Sequence, residues 1–169
     1  FNGRLMHGAT LLSDGKVLVV GAYASTSVAE VYDPMQNVWM RTSDTLVGLS
    51  TPSVTLLNSG KALVVGGIIN SNFPPYAELY DPLTNTWSAA GNMPILLLQG
   101  FTSTLMPDGR VVVSGGSPDT HGYLKAVEIY DPNSNSWSTA GDLITSRYHH
   151  TAVWANGKLV ILGGTSGYL

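Results

Sequence analysis

One motif recurs along this chain at a nearly constant spacing. Its three copies place a Tyr-Asp-Pro triplet 48 and then 50 residues apart, and a Trp follows each Tyr by seven positions. Self-similarity at this period indicates one supersecondary unit that is copied several times. The copies are AEVYDPMQNVWM (29–40), AELYDPLTNTWS (77–88) and VEIYDPNSNSWS (127–138), with the pairs Tyr32 and Trp39, Tyr80 and Trp87, and Tyr130 and Trp137.

A second element repeats in phase with the first and occurs four times. In each copy a Gly turn precedes an apolar run that ends in glycine, and another short apolar segment precedes the turn. Asp-Gly, Asn-Gly and Ser-Gly pairs between apolar runs predict hairpins, because Gly and Asn tolerate positive φ. The copies are SDGKVLVVGA (13–22), NSGKALVVGG (58–67), PDGRVVVSGG (107–116) and ANGKLVILGG (155–164), with the complete doublets Gly66–Gly67, Gly115–Gly116 and Gly163–Gly164.

Each unit therefore predicts four strands, which we name A to D. Strand A precedes the Gly turn, strand B is the run before the glycines, strand C ends in Tyr-Asp-Pro, and strand D carries the Trp. Strand B is apolar on both sides, as expected of a strand between two neighbouring sheets. In strand C, Glu78 and Tyr80 share one face because side chains alternate. Pro82 ends that strand because it cannot donate to the ladder.

With the Gly doublet, the Tyr and the Trp at these spacings, the chain resembles kelch repeats over nearly its whole length. The resemblance implies an all-β, kelch-type β-propeller. The DGKVLVVG and AELYDP sequences are also similar to the repeats of galactose oxidase-like secreted proteins. One departure is the incomplete doublet Gly21–Ala22, where we expect a slightly altered turn.

The strand count predicts a single propeller segment over 1–169, with about three and a half four-stranded blades in a partial ring. Closing a ring of 4 to 8 blades buries the outer faces of the first and last sheets. An open arc leaves those faces in water, at about 25 cal/mol per Å². We therefore expect a part of a larger propeller, or assembly with another copy. The predicted blades are 5–43, 50–90 and 100–140, with a half blade at 147–163.

The repeated acid and Tyr of strand C look at first like a catalytic pair. Three copies at one blade position favour architecture, since a catalytic constellation breaks the symmetry of a repeat. We expect Tyr and Trp to pack between blades. We also expect the acids to accept hydrogen bonds from backbone or from a strand-A arginine such as Arg4 or Arg147. The acids are Glu30, Glu78 and Glu128.

The segment RYHHTAVW, 147–154, is the most tempting chemical cluster. In the galactose oxidase-like family a Tyr-His pair on such a strand binds copper, and Tyr148 and His149 match that pattern with a spacing different by about one residue. The family's radical forms on a Tyr joined to Cys, and this chain has no Cys. His149 and His150 point to opposite faces of a regular strand, and His7 occupies a corresponding place. We predict no catalytic residue, metal or cofactor in this segment.

The loops between strands B and C are the part in which the copies disagree. They emerge at the same end of each sheet as the D–A connections, and recognition residues favour such loops over a rigid scaffold. Aromatic and amide side chains suit protein or glycan contacts. The predicted binding residues are Asn70, Asn72, Phe73, Tyr76, Asp119, His121 and Tyr123, in the loops 68–75 and 117–124 and at the start of the strand after the first loop.

The sequence thus favours a non-catalytic interaction or structural module that binds protein or carbohydrate. Two alternatives are part of a copper enzyme with ligands outside the segment, and a purely architectural extracellular protein. A net charge of −3 with scattered basic residues argues against a nucleic-acid partner. No apolar run reaches the roughly 18 residues of a membrane helix, so no membrane insertion is expected. The repeat style favours secretion.

Overall fold

The computed structural model describes residues 3–21, 27–67, 76–95, 99–118 and 122–166. These residues form strands joined by turns. The strands are β1 Gly8–Leu11, β2 Val17–Val20, β3 Ala29–Asp33, β4 Val38–Arg41, β5 Ser53–Leu56, β6 Ala62–Val65, β7 Tyr76–Asp81, β8 Thr86–Asn92, β9 Gln99–Leu105, β10 Val111–Ser117, β11 Val127–Asp131, β12 Ser136–Thr139, β13 Tyr148–Ala155 and β14 Lys158–Thr165.

The strands form four antiparallel sheets in chain order. Three sheets have four strands each, β1–β4, β5–β8 and β9–β12, and the fourth is the pair β13–β14. The register is the same in each complete sheet, since the Tyr of strand C lies opposite the Trp of strand D. The prediction of an all-β fold with strands A to D is confirmed. The described part of the chain contains no helix long and apolar enough to span a membrane.

Apolar side chains fill the space between consecutive sheets. Leu18 and Val20 of the first sheet pack against Val64 and Tyr80 of the second. The second and third sheets enclose an equivalent cluster, and Met106 and Val112 of the third sheet meet the fourth. Strand B contributes most to these clusters because both of its faces are covered, as predicted. Each sheet thus has a backward face towards the preceding sheet and a forward face towards the next.

The A strands lie side by side at one edge of the stacked sheets, β1 next to β5, β5 next to β9, and β9 next to β13. Hydroxyl groups link them across the gaps. Ser103 Oγ lies 2.5 Å from Ser53 Oγ and 2.6 Å from Thr55 Oγ1. The contacts between sheets are therefore apolar at strand B and partly polar along strand A.

The Tyr-Asp-Pro motif closes the turn between strands C and D. The Tyr80 hydroxyl donates to Asn85 Oδ1 at 3.1 Å, and Asp81 Oδ1 accepts from the Leu83 amide at 3.0 Å. Asn85 has a φ of 54°, which Asn tolerates better than most residues. The same Tyr-to-Asn hydrogen bond recurs in the other two copies, at Asn37 and Asn135.

The glycine doublet brings the end of strand B close to the connection that enters strand A. Gly67 has a φ of 85°, and a Cβ there would collide with the Ser50 carbonyl oxygen. Gly115 and Gly164 are also crowded, by the Arg147 and Tyr148 carbonyl oxygens. Only glycine accommodates both the positive φ and the close approach. Ala22, the residue that interrupts the first doublet, lies outside the described residues.

Candidate functional site

The repeated acids hold the connection that precedes each sheet. Glu78 is fully buried and accepts hydrogen bonds from the Leu46 and Val47 amides at 2.9 and 3.1 Å. Glu128 accepts from the Ile95 amide at 2.8 Å. Burial raises the pKa of both carboxyls to about 7, and the amide bonds oppose that shift. As predicted, these acids bond backbone groups, and each fastens one sheet to the chain leaving the previous sheet.

Arg4 and Arg147 differ in their contacts. Arg4 Nε donates to Glu30 Oε2 at 2.8 Å, which confirms the predicted pairing for that arginine. Arg147 Nη1 donates instead to the Gly163 carbonyl oxygen at 2.5 Å. The suggestion that Arg147 pairs with one of the repeated acids is wrong within the described residues. The second and third acids accept hydrogen bonds from amides of D–A connections instead.

The Trp side chains of the second and third sheets also contact the preceding sheet. Trp87 Nε1 donates to the Ser43 carbonyl oxygen at 3.0 Å, and Trp137 Nε1 to the Ala90 carbonyl oxygen at 2.6 Å. Each Trp also lies about 5 Å from the Tyr of its own sheet, with tilted rings. The predicted packing of these aromatic pairs between sheets is confirmed.

The two ends of the stacked sheets differ in what they present. We call the end with the B–C loops and D–A connections the loop face, and the end with the A–B and C–D turns the turn face. Most of the predicted binding residues cannot be placed, because they or their side chains lie outside the described part of the chain: Asn70, Asn72, Phe73, Asp119 and His121, and the side chain of Tyr76. Tyr123 is the one whose side chain is described.

Tyr123 is part of an aromatic cluster on the loop face. Its ring stacks on that of Tyr148, with centroids 4.9 Å apart and an interplanar angle of 14°. The Tyr148 ring also meets the exposed His149 ring edge-on, at 4.0 Å. Gly100 leaves room for Tyr148, since a Cβ there would collide with its ring. A B–C loop of the third sheet and strand A of the fourth thus share one aromatic surface.

The cluster does not form a copper site on its own. Within the described ranges, no three His, Cys, Asp or Glu side chains are grouped to hold a metal ion. His149 has a φ of 55°, but Met6, Thr51 and Gly100 at the equivalent positions also have positive φ. This strained conformation is therefore a property of the repeat. Among the described residues, the side chains at this cluster do not form a site for a copper ion.

His150, unlike its neighbour, is buried between the third and fourth sheets, with 7% of its surface exposed. Its Nε2 lies 3.1 Å from Thr102 Oγ1 and 3.3 Å from Ser114 Oγ. Burial, and then the Arg147 charge, lower the pKa of His150. In the pairing of strands A and B, His150 lies opposite Gly163, and Phe101 lies opposite the equivalent Gly115 in the third sheet. His7 and Pro52 hold the same position in the first and second sheets. The role of His150 is to link sheets.

Two cavities open on the turn face, between the first and second sheets. One has a volume of about 240 Å³ and includes Tyr80 in its lining, and the other has about 360 Å³ and includes Leu83. Their charged side chains are all engaged in ion pairs, which are Lys16 with Asp14, Arg41 with Asp44, and Lys61 with Asp81. Neither cavity offers an unpaired charge to a ligand.

The stacked four-stranded sheets, with Gly, Tyr and Trp at fixed register, define a β-propeller segment of the kelch type. Two stretches match the kelch motif in sequence, residues 58–94 and 99–143. These two stretches are therefore kelch motifs, at the spacing that the sequence predicted. No curated protein matches it in sequence.

Two solved structures share this fold. One, described as the structure of YjhT, superposes with a TM-score of 0.76 at 15% identity, over 95% of this chain and 58% of that one. The other is a fungal alcohol oxidase of the AA5 family in complex with copper, with a TM-score of 0.59 at 16% identity, over 99% of this chain and 48% of that one. The chain spans about half the length of each. The two superpositions show a common fold.

Proposed function

We propose that the chain is a non-catalytic interaction module that binds a protein or carbohydrate partner through its loop face. The contrast between the two ends of the sheets supports this. On the turn face the copies repeat one Tyr-to-Asn hydrogen bond in every C–D turn. On the loop face the B–C loops differ in length and sequence, and among the described residues Tyr123 stacks on Tyr148 beside His149. Binding residues are enriched on such variable loops over a rigid scaffold.

The aromatic cluster is the observation that carries the proposal. Tyr148 and Tyr123 are half-buried and the neighbouring His149 is exposed. A Tyr hydroxyl is protonated at neutral pH and can donate a hydrogen bond, and burial raises the pKa of Tyr148 further. Stacked Tyr rings offer apolar area at low entropic cost beside polar hydroxyls, which suits both protein and sugar surfaces. The remaining blades of a larger propeller, or another copy, complete the scaffold in this proposal.

A photo-crosslinking comparison tests the face. A photoreactive phenylalanine analogue is placed at position 123 on the loop face, or at position 83 on the turn face, where Leu83 is 93% exposed. Both variants are irradiated with an extract of the source organism and applied to a glycan array. We expect a partner that crosslinks from position 123, and weaker binding after Tyr148→Ala. Equal crosslinking from both positions argues against this face.

An architectural role and an enzyme role predict different results. If substitution of Tyr123 and Phe73 by Ala leaves every contact intact, the chain is architectural and the binding proposal fails. A tight stoichiometric copper site with a radical absorption band, measured on the 169-residue chain, would instead support the oxidase alternative. The described residues do not fit such a site, and we expect no tight copper binding.

A further inference from the structure

The A–B turn of the fourth sheet is one residue shorter than the A–B turns of the complete sheets. In the first sheet the Leu12 amide donates to the Lys16 carbonyl oxygen around a three-residue turn, and the second and third sheets close their turns in the same way. In the fourth sheet Ala155 pairs directly with Lys158, which leaves only Asn156–Gly157 between the strands. Both residues of that turn have positive φ, 51° and 74°, as a two-residue hairpin turn requires.

The shorter turn changes the surroundings of the turn glycine. In each complete sheet the amide of this glycine donates to a carbonyl oxygen three residues earlier. That bond opposes the loss of the amide proton, because deprotonation breaks it. Among the described residues, none accepts a hydrogen bond from the Gly157 amide. The bonds of the complete sheets are Gly15 to Leu12 at 3.0 Å, Gly60 to Leu57 at 2.9 Å and Gly109 to Met106 at 2.9 Å.

The residue before Gly157 is an asparagine that lies in water. Asn156 is exposed, and a Cβ added at Gly157 would meet no atom within 4 Å. The equivalent residues Ser59 and Asp108 are also exposed, although their sheets have a neighbour on both sides. The exposure of Asn156 is therefore a property of this turn, and a further sheet beside the fourth does not remove it.

We propose that Asn156–Gly157 is a self-modification site, where the chain converts Asn156 into aspartate or isoaspartate without an enzyme. The Gly157 amide loses its proton to water or hydroxide, and its nitrogen attacks Cγ of Asn156. A C–N bond forms, the bond from Cγ to Nδ2 breaks, and Nδ2 takes up a proton and leaves as ammonia. Water then opens the five-membered imide at either of its two carbonyl groups.

The local structure favours the first step of this reaction. Glycine has no side chain to shield its nitrogen, and no hydrogen bond from a described residue holds the Gly157 amide. The Asn156 side chain is likewise without a hydrogen bond among the described residues, so it can turn towards the nitrogen. Only the fourth A–B turn has an asparagine before its glycine, since the other turns have Asp14, Ser59 and Asp108.

Both products suit this end of a hairpin. In the first sheet Asp14 Oδ2 lies 2.8 Å from Lys16 Nζ, two residues along the chain, and Asp108 pairs with Arg110 in the third sheet at 2.7 Å. A carboxylate at the modified turn has Lys158 at the same sequence distance. Isoaspartate lengthens the backbone by one atom, and the three-residue turns of the other sheets show that a longer connection is accommodated. The modification thus adds a negative charge to the turn face.

Peptide mapping of the incubated protein tests the site. The 169-residue chain is kept at mildly alkaline pH, with a parallel sample at mildly acidic pH, and portions are digested with trypsin over time. Asn156 falls in the peptide 148–158, YHHTAVWANGK. The mass gain of this peptide measures the conversion, and enzymatic methylation of the new carboxylate detects isoaspartate. A synthetic peptide of the same sequence gives the rate outside the fold.

Asn135 is the internal control, read from fragment ions of the peptide 126–147. Its φ of 49° matches that of Asn156. The Tyr130 hydroxyl donates to its side chain at 2.8 Å, and Ser136 of β12 follows it in place of a glycine. A second Asn-Gly pair stands at residues 2–3, and it falls in a separate tryptic peptide, so it does not affect the measurement.

We expect Asn156 to react roughly tenfold faster than Asn135, which corresponds to a barrier lower by about 1.4 kcal/mol. The rate should rise with pH, because the attacking group is the deprotonated amide. The variant Asn156→Gln should form no isoaspartate at this turn. An unchanged peptide 148–158 while the synthetic peptide reacts, or equal rates at Asn156 and Asn135, overturns the proposal. Both comparisons use the original chain, so a folding defect of the variant leaves the test valid.

Discussion

At the residue scale, the same side chain takes different partners in successive copies. Glu30 pairs with an arginine, Glu78 accepts from two amides, and Glu128 accepts from one. Glu128 Oε2 is buried without a hydrogen-bond partner among the described residues. The hydrogen-bond partners of the strand C Glu therefore depend on the segment that precedes each sheet. The acid itself is constant.

The buried acids make stability depend on pH. Their pKa is about 7 in the folded chain against an ordinary value of 4.5, so the folded state binds more protons between these limits. The free energy of unfolding should fall as pH rises from about 4.5 to about 7, by up to roughly 3 kcal/mol per group. Urea denaturation at several pH values measures this. A stability that rises with pH over the range contradicts it.

Glutamine substitutions separate the two acids. Glu128→Gln keeps the oxygen that accepts from Ile95 and removes the titrating group, so the variant should flatten the pH dependence and be at least as stable at pH 8. Glu78→Gln should be destabilised at all pH values, because both oxygens of Glu78 accept amide bonds and an amide nitrogen cannot. A Glu128→Gln variant with the slope of the original chain would show that another group titrates.

The Trp residues of strand D differ in burial, which allows a second test. Trp87 is 9% exposed and donates to Ser43, whereas Trp39 is 40% exposed. Trp87→Ala should lower the free energy of unfolding by about 3–5 kcal/mol, since it removes a buried ring and a hydrogen bond between sheets. Trp39→Ala should cost clearly less. Equal losses in thermal or urea unfolding would mean that the Trp acts within its own sheet.

At the scale of elements, the hairpins A–B and C–D are alike in every complete sheet, whereas the D–A connections differ. The hairpins A–B and C–D are set by local turn chemistry, which is why they can be predicted from the sequence. The D–A connection crosses the end of strand B, and the space between them depends on both segments. The Ser50 amide donates to the Gly67 carbonyl oxygen at this crossing. The glycine doublet is thus where two sheets are joined.

A methyl group at this crossing should be poorly tolerated. Gly67→Ala places Cβ against the Ser50 carbonyl at a φ of 85°, so we expect a loss of about 3 kcal/mol or more. Gly141→Ala is the matched control, because no atom lies within 4 Å of the position that its added methyl group would occupy, and it should change stability by less than about 0.5 kcal/mol. If differential scanning calorimetry finds similar melting temperatures for the two variants, the D–A connection moves aside for the methyl group more easily than the contacts indicate.

The sequence predicts the strands and their faces because these depend on spacing and turn residues. It does not predict that Glu78 bonds Leu46, because a backbone amide in a connection without a motif leaves no signal. The stacking of Tyr123 on Tyr148 is equally hidden, since it depends on the distance between two segments of different sheets. Arg147 shows the same limit. Its position in the repeat is recognisable from the sequence, but its partner is not.

At the scale of the molecule, the arc of sheets has an apolar face at each end. The forward face of the fourth sheet exposes Val160 and Leu162, and the backward face of the first exposes Leu11 and Trp39. Stacking of each sheet on its neighbours buries such residues inside the arc. The same surface at its ends costs free energy in proportion to its area. These faces favour contact with further sheets, whether of a larger propeller or of another copy.

The 169-residue chain on its own should therefore self-associate as concentration rises. Light scattering coupled to size exclusion measures the mass. The double variant Val160→Lys/Leu162→Lys should shift the chain towards monomer. Association would bury this face, and burying charged side chains opposes the stacking of sheets. Leu83→Lys is the control, since Leu83 is 93% exposed on the turn face, away from the sheet faces. A stable monomer at all concentrations, or no effect of the paired lysines, would show that the arc tolerates open ends and that closure is not what stabilises it.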